Sequence, residues 1–164
     1  MPRRSSNLKR NIRPDIKYSS TLMSKFINYL MKKGKKSVAQ KIVYGALDIL
    51  KNKYNHEPLS SFENAINNLK PSVEVKSVRV GGANYQVPHI TDTHRSNTLA
   101  MRWLIKASSS RAEKNMKTSL AEELLDSLNN KGIAIKIKQD THKMAEANKS
   151  FAHFSPKKKV TTQK

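Results

Sequence analysis

The side chains most able to do chemistry in this chain are cations, and they fall in clusters. Lys32, Lys33, Lys35 and Lys36 surround Gly34, and Arg3, Arg4, Lys9 and Arg10 crowd the amino terminus. Lys76 and Arg79 lie in a valine-rich stretch, while Arg95 and Arg102 are seven residues apart and so share a helix face. Arginine presents a planar fork that pairs bidentately with phosphate oxygens, and lysine supplies point charge. The chemistry on offer is therefore non-covalent capture of phosphate groups. In all, 32 Lys and Arg against 12 Asp and Glu give a net charge of +20. Such an excess repels itself in a compact fold and calls for a polyanionic partner.

Covalent and metal chemistry do not assemble in the same way. There is no cysteine, hence no disulfide, thiolate nucleophile or Cys-zinc site, which is consistent with a reducing compartment. His142 and Glu146 lie one helical turn apart and read as a surface pair, because no third ligand accompanies them; His89 and His94 straddle a helix start and would be metal ligands only with further ligand residues that the sequence pattern does not supply. Gly34-Lys35-Lys36-Ser37 resembles the end of a nucleotide-binding phosphate loop, but that motif needs Gly where Tyr29 stands and Ser or Thr where Lys36 stands. No Gly-x-Ser-x-Gly elbow occurs, and Ser108-Ser109-Ser110 reads as a fraying helix end. Gly81-Gly82 joins two strands and not a strand to a helix, so it reads as a turn. The sequence thus predicts no enzyme, no metal site and no cofactor. No apolar run approaches the roughly 20 residues needed to cross a bilayer, so no membrane partner is expected.

The elements that must position these cations are mostly helical. At 164 residues the chain fits one domain, and its modest apolar share of 37% leans on aliphatic residues and not on aromatic ones. Apolar spacing predicts a helix over 20–31, with Ser19 or Ser20 as its cap. A second helix is capped by Ser37, with Val38, Ile42, Val43, Ala46, Leu47, Ile49 and Leu50 inward. A third opens at Pro58, with Leu59, Phe62, Ala65, Ile66 and Leu69 inward, and closes at Pro71. The period-two stretch 73–88, VEVKSVRVGGANYQVP, predicts a β-hairpin with a four-residue turn around Gly81-Gly82. Its valines change phase near Lys76-Ser77, which predicts a bulge.

Further along, a fourth helix capped by Thr91 or Asp92 turns Leu99, Ala100, Trp103, Leu104 and Ala107 inward and carries Arg95, Arg102 and Lys106 as a basic rim. A fifth, over about 116–129, turns Leu120, Ala121, Leu124, Leu125 and Leu128 inward and Glu122, Glu123 and Asp126 outward, away from any polyanion. A sixth starts between Ile133 and Asp140 and runs to about His153, with Met144, Ala145, Asn148 and Phe151 as contacts. The expected fold is mainly α: a single bundle of about six helices with a protruding two-stranded β-hairpin and basic terminal extensions. It divides into a basic arm over 1–18, a helical domain over 19–154 and a basic tail over 155–164.

The hairpin VEVKSVRVGGANYQVP, the following LAMRWLIKA and the late run DTHKMAEANKSFAHF closely resemble the bacterial-type family of small-subunit ribosomal protein seven. PRR at the start, PD at 14–15 and KKS with KIVY at 36–44 resemble it too, so the likeness runs from the first residues to about Phe154. The family is one helical domain with a protruding hairpin, as the periodicity also predicts. The resemblance implies a structural constituent of the small ribosomal subunit. Such a protein binds the 3′ major domain of small-subunit rRNA early in assembly, helps to organise the subunit head and lies near the transfer RNA exit site.

By the same resemblance, rRNA contacts are expected from Arg3, Arg4, Lys9 and Arg10, from Lys32, Lys33, Lys35 and Lys36, from Lys76 and Arg79, and from Arg95 and Arg102. The chain departs from the family in having THRSNT before LAMRW and three serines after it, where Arg111 and Lys114 partly compensate. It also continues through SPKKKVTTQK. The hairpin tip, Gly81, Gly82, Ala83, Asn84 and Tyr85, is expected to face tRNA in the exit site and mRNA; Tyr85 either stacks on a base or packs across the strands. Neighbouring small-subunit proteins are further partners, and no homo-oligomer is expected. The implied location is the ribosome, in a bacterial cytoplasm or in the matrix or stroma of an organelle, with no removed leader because the likeness begins at Pro2. A nucleoid-type DNA-binding protein is the rival reading, and a basic RNA-modifying enzyme a more distant one.

Overall fold

The computed structural model describes residues 11–154; the predicted contacts Arg3, Arg4, Lys9 and Arg10 and the tail 155–164 lie outside them. Along the chain run α1 (Thr21–Leu30), α2 (Lys36–Tyr54), α3 (Pro58–Leu69), β1 (Val73–Val80), β2 (Ala83–Ile90), α4 (Thr93–Ser110), α5 (Met116–Leu128) and α6 (Gly132–Ala147). A 3-10 helix (Lys149–Phe154) closes the described chain. The mainly helical architecture with one antiparallel hairpin is the one expected.

Local chemistry explains several boundaries. Ser20 caps α1, its hydroxyl accepting from the Met23 amide at 3.4 Å, and Pro58 occupies the first turn of α3. Asn55 ends α2 in the left-handed region (φ 54°), and the His56 amide reaches back to the Leu50 carbonyl. Ser37 does not cap α2 as predicted. The helix starts two residues earlier, with Lys35 at the cap position, because the tight loop before it, with Lys33 at φ 51° and Gly34 at φ 73°, already turns the backbone: the Lys35 amide bonds to the Lys32 carbonyl.

α5 is the hub of the core, packing against α2, α3, α4 and α6. Phe26 and Phe62 are fully buried with ring centroids 5.1 Å apart, among Met23, Ile27, Leu47, Ile66, Leu104 and Leu124. Each such side chain contributes about 1.5–3 kcal/mol by leaving water. Several residues expected inward or as contacts are not buried. Val38 is 49% exposed and Met144 54% exposed, while α4 buries Met101 and leaves Leu99 and Trp103 only half-buried. The inner stripe of α4 runs through Ala100, Met101, Leu104, Ala107 and Ser108, one position off the predicted axis.

The hairpin corrects the sequence reading in two respects. Its register is continuous from Val73↔Ile90 to Val80↔Ala83, so the turn has only Gly81 and Gly82, and no bulge interrupts the ladder. Positive φ at both, 57° and 89°, gives the primed turn whose twist matches that of the strands, which makes a two-residue loop sufficient. The change of valine phase is real but needs no extra residue. Glu74, Lys76, Val78 and Val80 share one face with Tyr85 and Val87, while Val73, Val75, Ser77 and Arg79 share the other.

The hairpin is also braced. α6 lies along both strands, and the 3-10 helix packs on β2, with Tyr85 5.2 Å from Phe151 and 5.3 Å from Phe154 between ring centroids. A two-stranded sheet alone is marginal in water, and this seam supplies the missing apolar contact. The continuous sixth helix predicted to about His153 therefore ends at Ala147, and the chain re-enters as the 3-10 turn that carries those two rings.

Candidate nucleic-acid interface

The lysine loop is the simplest part. Lys32, Lys33, Lys35 and Lys36 are all exposed, and none makes an ion pair with a carboxylate among the described residues. Left-handed backbone at Lys33 and Gly34 folds the run back on itself, so the charges are held close together just beyond the end of α1.

From that loop a polar face continues between α1 and α4. Arg102 lies over the Tyr29 ring, its guanidinium carbon 5.7 Å from the centroid, and the Tyr29 and Thr98 hydroxyls are 3.3 Å apart. A hollow of about 260 Å³ opens beside them, lined by Lys25, Asn28, His94 and Asn97, and Ile12 of the amino-terminal segment reaches its wall. Asn97, one of the lining residues, has its Oδ1 buried, with no hydrogen-bond partner among the described residues. Sequence reasoning missed Lys25, His94 and Asn97 here. The available signal was the polar character of the α1 and α4 flanks, which face each other only after folding.

Other predicted contacts are engaged internally. Glu74, nearly buried on β1, holds Lys76 Nζ at 2.9 Å and accepts from Arg95 Nε at 2.9 Å. Burial alone would raise its carboxyl, but the two cations outweigh burial and keep it below the ordinary carboxylate value. Arg95 and Lys76 thus brace the base of the hairpin against α4, with the outer parts of both side chains still in solvent. Arg79 lies on the opposite face, exposed, and Lys114 is exposed in the loop before α5.

Arg111 is the clearest departure from a surface contact. Its side chain is only 19% exposed and pairs with Glu113, Glu123 and Asp126. Burial by itself would lower the guanidinium pKa, yet the three carboxylates raise it. Glu123, predicted outward, is completely buried and also accepts from the Ala134 amide at 2.8 Å, so that it caps α6 from a neighbouring helix. Glu122 is likewise tied down, accepting from Tyr54 Oη at 2.8 Å and Lys53 Nζ at 3.0 Å. His142, read as half of a surface pair with Glu146, instead accepts from the Ser72 amide at 3.3 Å. Burial, then Lys138, lowers its pKa below the usual histidine value.

The root of the amino-terminal segment is fixed as well. Asp15 is buried and accepts from Tyr44 Oη at 2.7 Å and from the Lys17 amide at 3.2 Å, while Lys17 Nζ meets Asp48 at 3.1 Å. Burial and the Asp15 contact push the Tyr44 hydroxyl up to about 12. Asp15 and Lys17 are therefore anchored against α2.

Fold and surface together define a class: a helical, strongly cationic protein that works by binding, with no cluster of three or more metal-ligating side chains among the described residues. No helix among them is long and apolar enough to cross a membrane. Residues 2–149 match the model of the family described as ribosomal protein S7p/S5e. The chain is 58% identical over 158 residues to the small ribosomal subunit protein uS7 of Rickettsia bellii (strain RML369-C), covering 96% of this chain and 97% of the relative. It is 59% identical over 158 residues to uS7 of Rickettsia prowazekii (strain Madrid E), covering 96% and 99%. The chain belongs to the ribosomal protein S7p/S5e family, whose members are structural and non-enzymatic components of the ribosome.

Proposed function

We propose that this protein is a structural constituent of the small ribosomal subunit. It binds the 3′ major domain of small-subunit rRNA as a monomer, nucleates assembly of the subunit head and presents its hairpin tip near exit-site tRNA and mRNA. The observation that carries the reading is the set of exposed cations without a carboxylate partner among the described residues, from the Lys32–Lys36 loop to Arg102, beside a hollow lined by Lys25, Asn28, His94 and Asn97. Phosphates meet the lysines, and the polar wall of the hollow offers hydrogen bonds to ribose and base edges. Arg3, Arg4, Lys9 and Arg10 are further phosphate contacts by their chemistry, with Arg79 and the outer parts of Lys76 and Arg95 gripping at the hairpin. Gly81, Gly82, Ala83 and Asn84 form a small uncharged tip that suits a crowded passage. The Tyr85 ring, packed against Phe151 and Phe154, is a brace for that tip.

Filter binding to a 3′-domain RNA fragment tests the proposal. Arg102→Ala is expected to weaken binding by about 1–3 kcal/mol, and affinity should fall steeply with salt. Equal affinity for duplex DNA of the same length would overturn it.

A further inference from the structure

The exposed Val38 belongs to an apolar groove. Leu30, Val38, Ile42, Ile105 and Met116, from α1, α2, α4 and α5, line a channel of about 320 Å³. A second hollow, of about 260 Å³, continues past Ile42 and Met116 to Lys117, whose aliphatic stem lies against Gly45 of α2. Lys32 and Lys35 border the channel, and no carboxylate lines either hollow among the described residues. The base of the groove is aliphatic and its rim is cationic.

We infer that this groove seats a peptide segment of a neighbouring ribosomal protein, one that presents an aliphatic side chain flanked by Asp or Glu. The inference rests on the ribosomal reading above. An aliphatic side chain fills the channel and removes Val38 from water, while adjacent carboxylates meet Lys117 and share Lys32 and Lys35 with the phosphates, each ammonium having three donors to divide between them. RNA suits the rim but not the base, because a nucleobase in an aliphatic channel would leave its polar edges without partners. A second copy of this chain is a poor occupant, since the net charge of +20 repels its like.

The test uses the assembled particle. A photo-crosslinking benzoylphenylalanine is placed at position 38 and, as a control, at the exposed Glu63 on α3; small subunits are purified, irradiated and digested, and crosslinked peptides are sequenced. The expected product from position 38, absent from position 63, joins this chain to one acidic segment containing Leu, Ile, Val or Met. In a second arm, with the probe moved to Met116, Val38→Glu should reduce that crosslink at least about tenfold by setting like charges together. Val38→Gln, which brings no charge to the phosphate-binding lysines beside it, should also lower the crosslink while its rRNA affinity stays within about twofold. Crosslinks to nucleotides, to a basic or neutral peptide, or no more product than at position 63 would overturn the inference. A protein that fails to sediment with the small subunit would instead overturn the ribosomal reading itself.

Discussion

Glu123→Ala is the most revealing single change in the fold. The substitution removes a fully buried carboxylate that holds Arg111 and accepts the Ala134 amide at 2.8 Å. Leaving the buried amide without an acceptor costs about 1–3 kcal/mol. Breaking a buried ion pair costs about 3–5 kcal/mol when the other charge is stranded. Here Asp126 still lies 2.7 Å from Arg111, and the guanidinium keeps some solvent, so only part of that penalty applies. Together these effects come to about 3–4 kcal/mol. With a urea m-value of about 2 kcal/mol/M, the unfolding midpoint should fall by about 1.5–2 M. Glu123→Gln keeps an oxygen for the Ala134 amide and should recover roughly half of the loss. Urea titration followed by circular dichroism measures both. A midpoint shift below about 0.5 M for the alanine variant would refute the view that this carboxylate joins α4, α5 and α6.

Three further outcomes are expected. The folded-state carboxyl of Glu74 titrates below its ordinary value of 4.5, so its stabilisation is complete above that value and is lost as pH falls through the lower folded one; Glu74→Gln should flatten the acid limb of the stability curve in denaturant titrations. Gly82→Ala meets no atom within 4 Å but must adopt φ 89°; it should cost about 1–3 kcal/mol from backbone strain alone, read as faster amide exchange in β1 and β2. Phe151→Ala with Phe154→Ala removes both rings from Tyr85, at about 0.5–1.5 kcal/mol for each pair, and should speed exchange of the distal hairpin amides while leaving α2 and α5 unchanged.

The readable parts of this fold are those set by neighbours in sequence. Ser20 and Pro58 announce their helices because a cap or a fixed φ acts within one turn, and the paired glycines announce the reversal. Val38 misleads because helical spacing places it beside Ile42, yet no element among the described residues covers it. Glu123 misleads by its chemistry. It stands three residues after Leu120 and four before Ser127, an inward position by geometry, but its charge favours the surface until Arg111 and the start of α6 supply partners from elsewhere in the chain. The cationic surface was legible as composition and clusters. Which cations stay free was not, because Glu74, Glu122 and Glu123 choose their partners only once the helices have packed.

The two-residue turn has a bearing on how this chain can vary. A strand's faces alternate with every residue, so one residue added on a single side of Gly81-Gly82 would either loosen the loop or slide one strand past the other. A slide by one would turn Tyr85 and Val87 away from the 3-10 helix and bring Asn84 and Gln86 beneath it. The hairpin is therefore intolerant of single insertions and deletions along its length, even at exposed positions where substitutions are harmless. Its reach behaves as a fixed measure, set by register and by the Gly81-Gly82 turn that holds that register.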